Sequence, residues 1–293
     1  MIFFIGSVFS PWYAWAGRRD PLDHCCVNVL LSGPGGRWTM TERGRGEVER
    51  EARRLRIGRS TLEWDGETLT ARLDERAFPR LDRVRGVFTL RPAALSGVEV
   101  RLDPEGRHLW RPYAPRSAAE VAFARPGFRW QGEGYFDANA GERPLERDFR
   151  RWHWSCLRGR DRSTCLYEVE PRAGAPLSLA LGFDDAGGVR RLAPPPPAPL
   201  RPGFWRVRRE TRADPGAAPR TARTLLDAPF YVRSAIRTRI GGETGLAMHE
   251  SLDLDRFAHP LIRAALAFRA PRRRGRRPPP AGEPPAGGGP GAP

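Results

Sequence analysis

Short stretches in which apolar and polar residues alternate recur along most of the chain, and glycine or aspartate separates them. This pattern predicts half-buried strands joined by tight turns. The clearest case is a pair of runs on either side of Asp65-Gly66, a strong hairpin signal. A first set of predicted strands covers residues 27–31, 38–41, 61–64, 68–73, 98–102, 108–113, 121–123 and 128–135.

A second set of predicted strands follows after a divide near residues 142–155. It covers residues 164–169, 177–183, 189–192, 204–211, 222–226, 230–240 and 245–254. Helical spacing is confined to residues 48–55, 145–152 and 256–268, the last with Asp255 as its candidate N-cap. The pattern therefore predicts an all-β, antiparallel fold in two consecutive units, as barrels or sandwiches, because both solutions limit exposed sheet edges.

The predicted domains are residues 1–145, residues 146–270 and a C-terminal tail, residues 271–293. The tail reads PRRRGRRPPPAGEPPAGGGPGAP, and nothing in it can bury apolar surface. Segments of this kind are typically disordered. We therefore expect a disordered tail that contributes charge but no fold.

The net charge is +16, from 50 basic against 34 acidic residues. Such a balance normally suggests nucleic acid or an anionic membrane surface as the partner. The sequence contains no lysine, however, and arginine, proline, glycine and alanine are all abundant, which indicates a compositional bias rather than a design for binding phosphate. We predict no nucleic-acid partner, and the charge remains compatible with acidic lipid headgroups.

The four cysteines lie at positions 25, 26, 156 and 165, and they form neither a disulfide framework nor a paired C-x-x-C zinc motif. Reduced thiols favour a cytosolic protein. The first 20 residues lack a basic n-region, and Pro11 interrupts their apolar run, so we predict neither a signal peptide nor a membrane span there.

Two residue pairs are candidates for chemistry. His108 and Trp110 are two positions apart, as are Tyr135 and Asp137, so each pair shares one face of its strand. Asp137 precedes Asn and Gly and therefore fits an ordinary turn, but it equally fits an acid held in an apolar slot for proton transfer.

Two other motifs are weaker. His249-Glu250 lies on an alternating stretch, where a solvent-facing rung of a strand is the preferred interpretation. Asp23-His24-Cys25 suggests a nucleophile beside a base, but neighbours on a strand point to opposite faces. The sequence contains neither a phosphate-binding P-loop nor a G-x-S-x-G elbow.

Several long stretches resemble the carotenoid 1,2-hydratases, also called hydroxyneurosporene synthases. They are FIGSVFSPWYAWAGRRDPLDHCCVNVLL, GGRWTMTERGR, GYFDANAG, FWRVRRETR, APFYVRS and MHESLDLDRF, and together they extend from residue 2 to about residue 270. The resemblance implies two consecutive lipocalin-like antiparallel β-barrel domains, the first lacking an aromatic strand that the family pattern places ahead of residue 1. It also implies a cofactor-free enzyme that adds water across the C1=C2 bond of acyclic carotenoids such as neurosporene and lycopene.

The resemblance implies site residues in an H-x-W pair and a Y-x-D pair, which are His108, Trp110, Tyr135 and Asp137 here. We expect Asp137 to protonate C2 while Trp110 and Tyr135 offer π faces to the cation at C1. His108 then orients the water, takes its proton or holds Asp137. The chain has Trp152-His153-Trp154 where the family tends to have Trp-Asp-Trp, so no site role is carried over to position 153.

The implied substrate is a polyene of the membrane. We therefore expect a cytoplasmic protein in peripheral contact with the inner or photosynthetic membrane, through its arginines and the apolar segment 2–16. The alternative from another class is a non-catalytic lipocalin-like carrier of a carotenoid or other lipid. A carrier needs the same cavity but not the acid.

Overall fold

The computed structural model describes residues 1–33 and 35–273. A three-stranded antiparallel sheet opens the fold, in the order β1 (Ile2–Phe4), β2 (Cys25–Leu31) and β3 (Arg37–Arg43). A short helix, α1 (Pro11–Trp15), lies between β1 and β2. It begins there because the Ser10 side chain accepts a hydrogen bond from the Tyr13 backbone N–H and because a proline at the first helical position is preset for a helix.

The second sheet contains eight antiparallel strands, which are β4 (Val48–Arg50), β5 (Arg54–Ile57), β6 (Ser60–Trp64), β7 (Leu69–Arg76), β8 (Arg83–Pro92), β9 (Val100–Arg101), β10 (His108–Arg125) and β11 (Phe128–Gly141). They are hydrogen-bonded in the order β11, β10, β8, β7, β6, β5 and β4, with β9 paired to β10. Strands β10 and β11 form one long hairpin at the edge of the sheet. This hairpin brings the H-x-W and Y-x-D pairs onto neighbouring strands.

The third sheet follows a single helical turn, α2 (Leu145–Asp148), and is also antiparallel. The remaining strands are β12 (Phe149–Arg158), β13 (Ser163–Pro171), β14 (Leu177–Phe183), β15 (Val189–Leu192), β16 (Pro197–Leu200), β17 (Arg209–Arg212), β18 (Arg220–Asp227), β19 (Tyr231–Ile240) and β20 (Glu243–Asp253). The pairing order is β15, β14, β13, β12, β20, β19 and β18, and β16 pairs separately with β17.

Two helices end the folded chain, α3 (Leu254–Ala258) and α4 (Pro260–Arg269). The α4 helix packs against α1, and the indole N–H of Trp12 donates to the Ala270 carbonyl at 2.8 Å. The two ends of the described chain therefore lie together. Among the described residues, no helix has both the length and the apolar character needed to cross a bilayer.

The prediction of an all-β antiparallel fold with few short helices is confirmed. The Asp65-Gly66 hairpin forms as expected, with Trp64 opposite Leu69 and the Asp65 side chain accepting from the backbone N–H groups of Glu67 and Thr68. Closure of the sheets into barrels stays a prediction, as does the domain division at residue 145.

The predicted helix at 48–55 is wrong, because the segment contains β4, a turn and the start of β5. Val48 and Leu55 fit a helical repeat. Antiparallel pairing of β4 with β5 instead places Val48 opposite Ile57, packs both of these residues in the core, and lets Arg56 pair with Glu49. The same conflict between local spacing and sheet pairing limits the predicted helix 145–152 to the four residues of α2.

The second set of predicted strands omits β12, which begins at Phe149 and is a central strand of the third sheet. The predicted strand 204–211 is also only partly formed, since β17 begins at Arg209 and the preceding residues form a loop. The predicted helix 256–268 is two helices, because Pro260 favours extended backbone at His259. Asp253, rather than Asp255, is the first N-cap.

Arg272, which lies in the predicted tail, contacts the folded chain. Arg272 bridges to Glu42 of β3 and also forms an ion pair with Asp23 at 2.6 Å. Glu42 is buried, and a buried carboxylate needs a cationic or hydrogen-bonding partner, which explains why this arginine is held. The rest of the predicted tail, residues 274–293, lies outside the described residues.

Candidate active site

Asp137 lies within β11, which continues to Gly141, so the turn interpretation of its position is wrong. Asp137 stands opposite a bulge, where two residues of β10, Pro112 and Tyr113, face one residue of β11. Proline suits a bulge because it has no N–H for the ladder, and bulges redirect nearby side chains. A second shift in register, at Pro115, stands opposite Tyr135. These two irregularities determine how the Y-x-D pair is presented.

Two neutral donors hold the Asp137 carboxyl. The indole N–H of Trp110 and the phenol O–H of Tyr135 both donate to Oδ2, at 2.8 and 2.9 Å. Trp110 is fully buried, while Tyr135 and Asp137 are half-buried. Both aromatic residues therefore turn a hydrogen-bonding edge, not a ring face, toward the carboxyl.

Burial raises the pKa of Asp137 from its ordinary value to about 6. The hydrogen bonds from Trp110 and Tyr135 act in the opposite direction, because they stabilise the charged form. The pKa of Tyr135 is raised well above its ordinary range by burial and by the neighbouring Asp137 charge, so the phenol keeps its proton and remains a donor. The site thus holds an acid that titrates near neutrality.

Aromatic residues of the third sheet enclose this group. The Trp110 ring lies 4.9 Å from the Tyr167 ring, and the Tyr135 ring lies 5.0 Å from the Trp154 ring. Trp152 lies 5.8 Å from Tyr167 on the same face. All of these residues belong to one apolar cluster formed where β10 and β11 pack against β12 and β13. The carboxyl therefore lies between the two large sheets.

Our sequence reasoning missed Trp152, Trp154 and Tyr167. The rule that selected His108 and Trp110, two residues on one face of a strand, applies equally to Trp152 and Trp154. The predicted helix over 145–152 conceals this pair, because the rule holds only where both residues lie on one strand. The indole nitrogens of Trp152 and Trp154 are buried, and no partner for them lies within the part of the chain that the structure describes.

His108 is brought close to this region but not into hydrogen-bonding contact with Asp137. Its Nε2 pairs with the Asp148 carboxylate at 2.8 Å, and its backbone N–H donates to Asp103 at 2.7 Å. The ring packs on Phe149 and against Gly141, where an added Cβ would lie 2.8 Å from Nδ1. His108 thus connects the start of β10 to the segment that leads into β12.

A charged group borders the same apolar cluster. Arg233 of β19 pairs with Glu250 of β20 at 2.7 Å and donates to the Tyr231 hydroxyl at 2.9 Å. The Glu250 charge raises the pKa of Asp137 and the Arg233 charge lowers it. Because the two charges oppose each other, burial remains the main cause of the raised pKa.

The preferred interpretation of His249 as a solvent-facing rung is wrong. His249 is 0% exposed, and its two nitrogens bond to Ser155 and Ser251 at 2.8 and 2.9 Å. It faces away from Glu250, as alternation along a strand requires. Small polar side chains accept the ring on this face, which is why an imidazole can be buried there.

The remaining motifs form no further catalytic group. His24 pairs with Glu42 at 2.8 Å, while the Cys25 thiol donates to the Pro21 and Leu22 carbonyls. All four cysteines are free. In residues 1–33 and 35–273, no group of three or more His, Cys, Asp or Glu side chains is arranged to hold a metal ion.

The fold and the site define an all-β protein with an enclosed acid among aromatic residues. A solved structure of an AttH protein from Nitrosomonas europaea matches this fold with a TM-score of 0.57 at 14% identity, over 78% of this chain and 81% of that one. This likeness concerns the lipocalin-like fold alone.

Sequence comparisons are more specific. An acyclic carotenoid 1,2-hydratase of Rhodobacter capsulatus is 47% identical over 277 residues, 94% of this chain and 98% of the relative. An acyclic carotenoid 1,2-hydratase of Thiocapsa roseopersicina is 48% identical over 277 residues, 93% of this chain and 68% of the relative. The sequence model described as carotenoid hydratase CrtC matches residues 1–278. The chain belongs to the carotenoid hydratase family and is therefore an enzyme of the hydratase class.

Proposed function

We propose that this enzyme adds water across the terminal C1=C2 bond of an acyclic carotenoid, such as neurosporene or lycopene, to give a tertiary 1-hydroxy product. One observation carries the proposal: an acid with a pKa of about 6 is held by two neutral donors inside an aromatic enclosure. An isolated alkene does not react with water, so a proton donor must act first. A carboxyl near its protonated state in an apolar site supplies that donor.

In the first step Asp137 transfers its proton to C2. Trp110 and Tyr135 both donate to Oδ2, so the acid proton resides on Oδ1, the other oxygen. The π electrons of the double bond form the new C2–H bond, and the positive charge appears on tertiary C1. The two donors stabilise the carboxylate that results, because hydrogen bonds to a charged acceptor are stronger than those to a neutral one.

Aromatic rings stabilise the C1 cation without trapping it. Trp110 and Tyr135 direct their polar edges at the carboxyl, so this role passes to the faces of the neighbouring rings, Trp154 and Tyr167. A desolvated cation–π contact contributes roughly 2 kcal/mol, which is a factor of about 30 in rate. This assignment replaces the expectation that Trp110 and Tyr135 provide the π faces.

The attacking water is held by the buried indole N–H groups of Trp152 and Trp154, because buried donors are normally satisfied by protein or by ordered water. The water oxygen bonds to C1, and its surplus proton returns to the Asp137 carboxylate. The acid is thereby regenerated, and the cycle requires no cofactor. His108 is a positioning residue, which acts through Asp148 on the junction between β11 and β12.

The substrate is a long hydrocarbon that resides in membranes, so the enzyme must collect it from a bilayer. Peripheral contact with the inner or photosynthetic membrane from the cytoplasm is therefore part of the proposal. The net charge of +16 supports contact with acidic lipid headgroups.

The test is hydration in D2O. The enzyme is incubated with lycopene or neurosporene in detergent. The products are separated by chromatography, and their masses are measured by mass spectrometry. We expect a monohydroxy carotenoid with one carbon-bound deuterium, at C2. A hydroxylated product without that deuterium contradicts proton transfer to carbon, and bound but unchanged carotenoid supports the carrier alternative.

A further inference from the structure

The outward face of α4 is apolar. Leu261, Ala264, Ala265 and Phe268 follow helical spacing and are all exposed, with Leu261 at 73% and Phe268 at 75%. The inward face packs Ile262 and Leu266 on the cluster that encloses the active site. A helix that is apolar on both faces is normally covered on both. The outward face of α4 is thus suited to contact with another apolar medium.

A second exposed apolar element lies nearby, the loop 201–208 between β16 and β17. Its sequence is RPGFWRVR, and Phe204 and Trp205 are 84% and 46% exposed. Their rings contact each other edge to face at 5.3 Å. Aromatic residues between arginines are typical of segments that enter the interface of a bilayer.

The loop is held rigidly in this position. The Phe204 backbone N–H donates to the Asp227 carboxylate at 2.6 Å, and Arg256 of α3 donates to the Trp205 and Arg206 carbonyls at 2.6 and 3.2 Å. Since α3 also packs against α4, the loop and the helix are neighbours on the surface. These hydrogen bonds fix the backbone on both sides of the exposed Phe204 ring.

The loop 201–208 and α4 themselves carry basic but no acidic side chains. The loop has Arg201, Arg206 and Arg208, and α4 has Arg263 and Arg269. Acidic neighbours lie outside the two elements, at Glu210, Asp227, Asp253 and Asp255. The basic charge of the two elements attracts an anionic surface, and it would oppose the approach of a second copy of the same face.

We propose that the outward face of α4 and the loop 201–208 together form the surface by which the enzyme docks on a bilayer of anionic phospholipid. This inference rests on the proposed peripheral collection of carotenoid. Phe204, Trp205, Leu261 and Phe268 enter the acyl boundary, and the arginines contact the lipid phosphates. The apolar cluster behind α4 includes Phe257, Leu252, Trp154 and Trp110, and Trp110 hydrogen-bonds to Asp137, so one cluster contacts both α4 and the candidate active site.

The test is flotation with vesicles of phosphatidylcholine, pure or mixed with phosphatidylglycerol. Two double variants remove the apolar contacts, Phe204→Ser with Trp205→Ser and Leu261→Gln with Phe268→Gln, and a third, Arg206→Gln with Arg208→Gln, removes charge. The matched control is Leu95→Gln with Leu246→Gln, two exposed leucines away from α4, Leu246 near the start of β20 and Leu95 in the loop after β8, beside the β14–β15 turn. Each variant is also assayed with carotenoid dissolved in detergent.

We expect each apolar double variant to lose about tenfold in binding to mixed vesicles. The arginine variant should lose about fivefold per arginine on mixed vesicles and little on pure phosphatidylcholine. All variants should keep the wild-type rate on carotenoid in detergent. Unchanged vesicle binding in the apolar variants overturns the proposal, as does a wild-type dimer that these substitutions dissociate, since the surface would then join two copies.

The two proposals can fail separately. If the wild type binds mixed vesicles through this surface but hydrates no carotenoid in detergent, the proposed function fails and the docking surface stands. If the wild type hydrates carotenoid in detergent and the apolar variants match it on vesicles, only the docking surface fails.

Discussion

The two faces of strand β12 carry polar groups in opposite states. On one face, Ser155 bonds to both Thr211 and His249, and Ser251 links His249 to His153. On the other face, the indole N–H groups of Trp152 and Trp154 are buried without a partner among the described residues. In the first group, the closed network, every named side chain has a hydrogen-bond partner within the group. The second group, the open network, has two indole donors without a partner among the described residues.

This difference distinguishes buried polar side chains that stabilise the fold from buried polar side chains that can take part in a reaction. Burial, and then the neighbouring arginines, lower the pKa of His153 to about 4, and burial lowers the pKa of His249 well below its ordinary value, so both rings are neutral near neutral pH. Asp137 instead has its pKa raised into the range where a proton can be exchanged. A closed network of neutral groups stabilises, whereas an open one can bind and react.

The largest effect should follow from Asp137→Asn. The amide oxygen can still accept from Trp110 and Tyr135, so the fold is kept while the acid proton is lost. We expect the rate of hydration to fall about 10³-fold, within the range of general acid catalysis. The measurement is product formation from lycopene in detergent at constant pH.

The free energy of unfolding, measured as a function of pH, tests whether Asp137→Asn keeps the fold. The pKa of Asp137 is higher in the folded state than in the unfolded state. The wild type therefore loses stability as pH rises from the ordinary aspartate pKa through about 6. Asp137→Asn lacks this term, so its free energy of unfolding relative to wild type should increase by about 2 kcal/mol between pH 4 and pH 8. A variant that is inactive but also less stable at pH 8 would contradict the assignment.

The sequence predicted the β architecture, and it predicted that His108 shares a strand face with Trp110 and Tyr135 with Asp137, because both depend on local alternation. It could not predict the hydrogen bonds of Asp137, since they depend on the register of β10 against β11, which shifts opposite Asp137 and again opposite Tyr135. It also assigned residues 145–152 to one helix, although only residues 145–148 are helical and pairing of Trp152 with Val169 and Leu252 keeps residues 149–152 in a strand. Register and sheet pairing are long-range properties, and they placed the third-sheet aromatic residues in the site.

The pH dependence of the rate should show the second largest effect. The active form carries the proton, so kcat/KM should be flat below about pH 6 and fall about tenfold for each unit above it. Tyr135→Phe removes a hydrogen bond that lowers this pKa, so the falling limb should move to higher pH. A rate that rises between pH 6 and pH 8 would show that Asp137 acts first as a base.

Trp154→Phe tests the open network with a smaller change. It keeps a smaller aromatic face beside Tyr135 and removes the indole N–H that we assign to the water. We expect a loss of about tenfold in the rate, comparable to one neutral hydrogen bond of roughly 1 kcal/mol or slightly more. The smaller ring also lowers the free energy of unfolding, so the rate is measured well below the unfolding temperature. Trp154→Leu should lose more, since it also removes the π face, and equal losses would argue against a role for the ring.

His249→Leu makes the reciprocal change on the closed face. Ser155 keeps Thr211 and Ser251 keeps His153 as partners, so the loss should be about 1–3 kcal/mol in the free energy of unfolding, measured by denaturant titration.

The folded pKa of His249 is lowered, so the wild type loses stability as pH falls below the ordinary histidine pKa, and the variant should lose less. The rate of hydration in detergent, measured well below the unfolding temperature, should stay within about twofold of wild type, because unfolding removes a negligible fraction of a stable enzyme. A large loss of rate without a loss of stability would mean that the two faces of β12 are coupled and that the closed network also serves the chemistry.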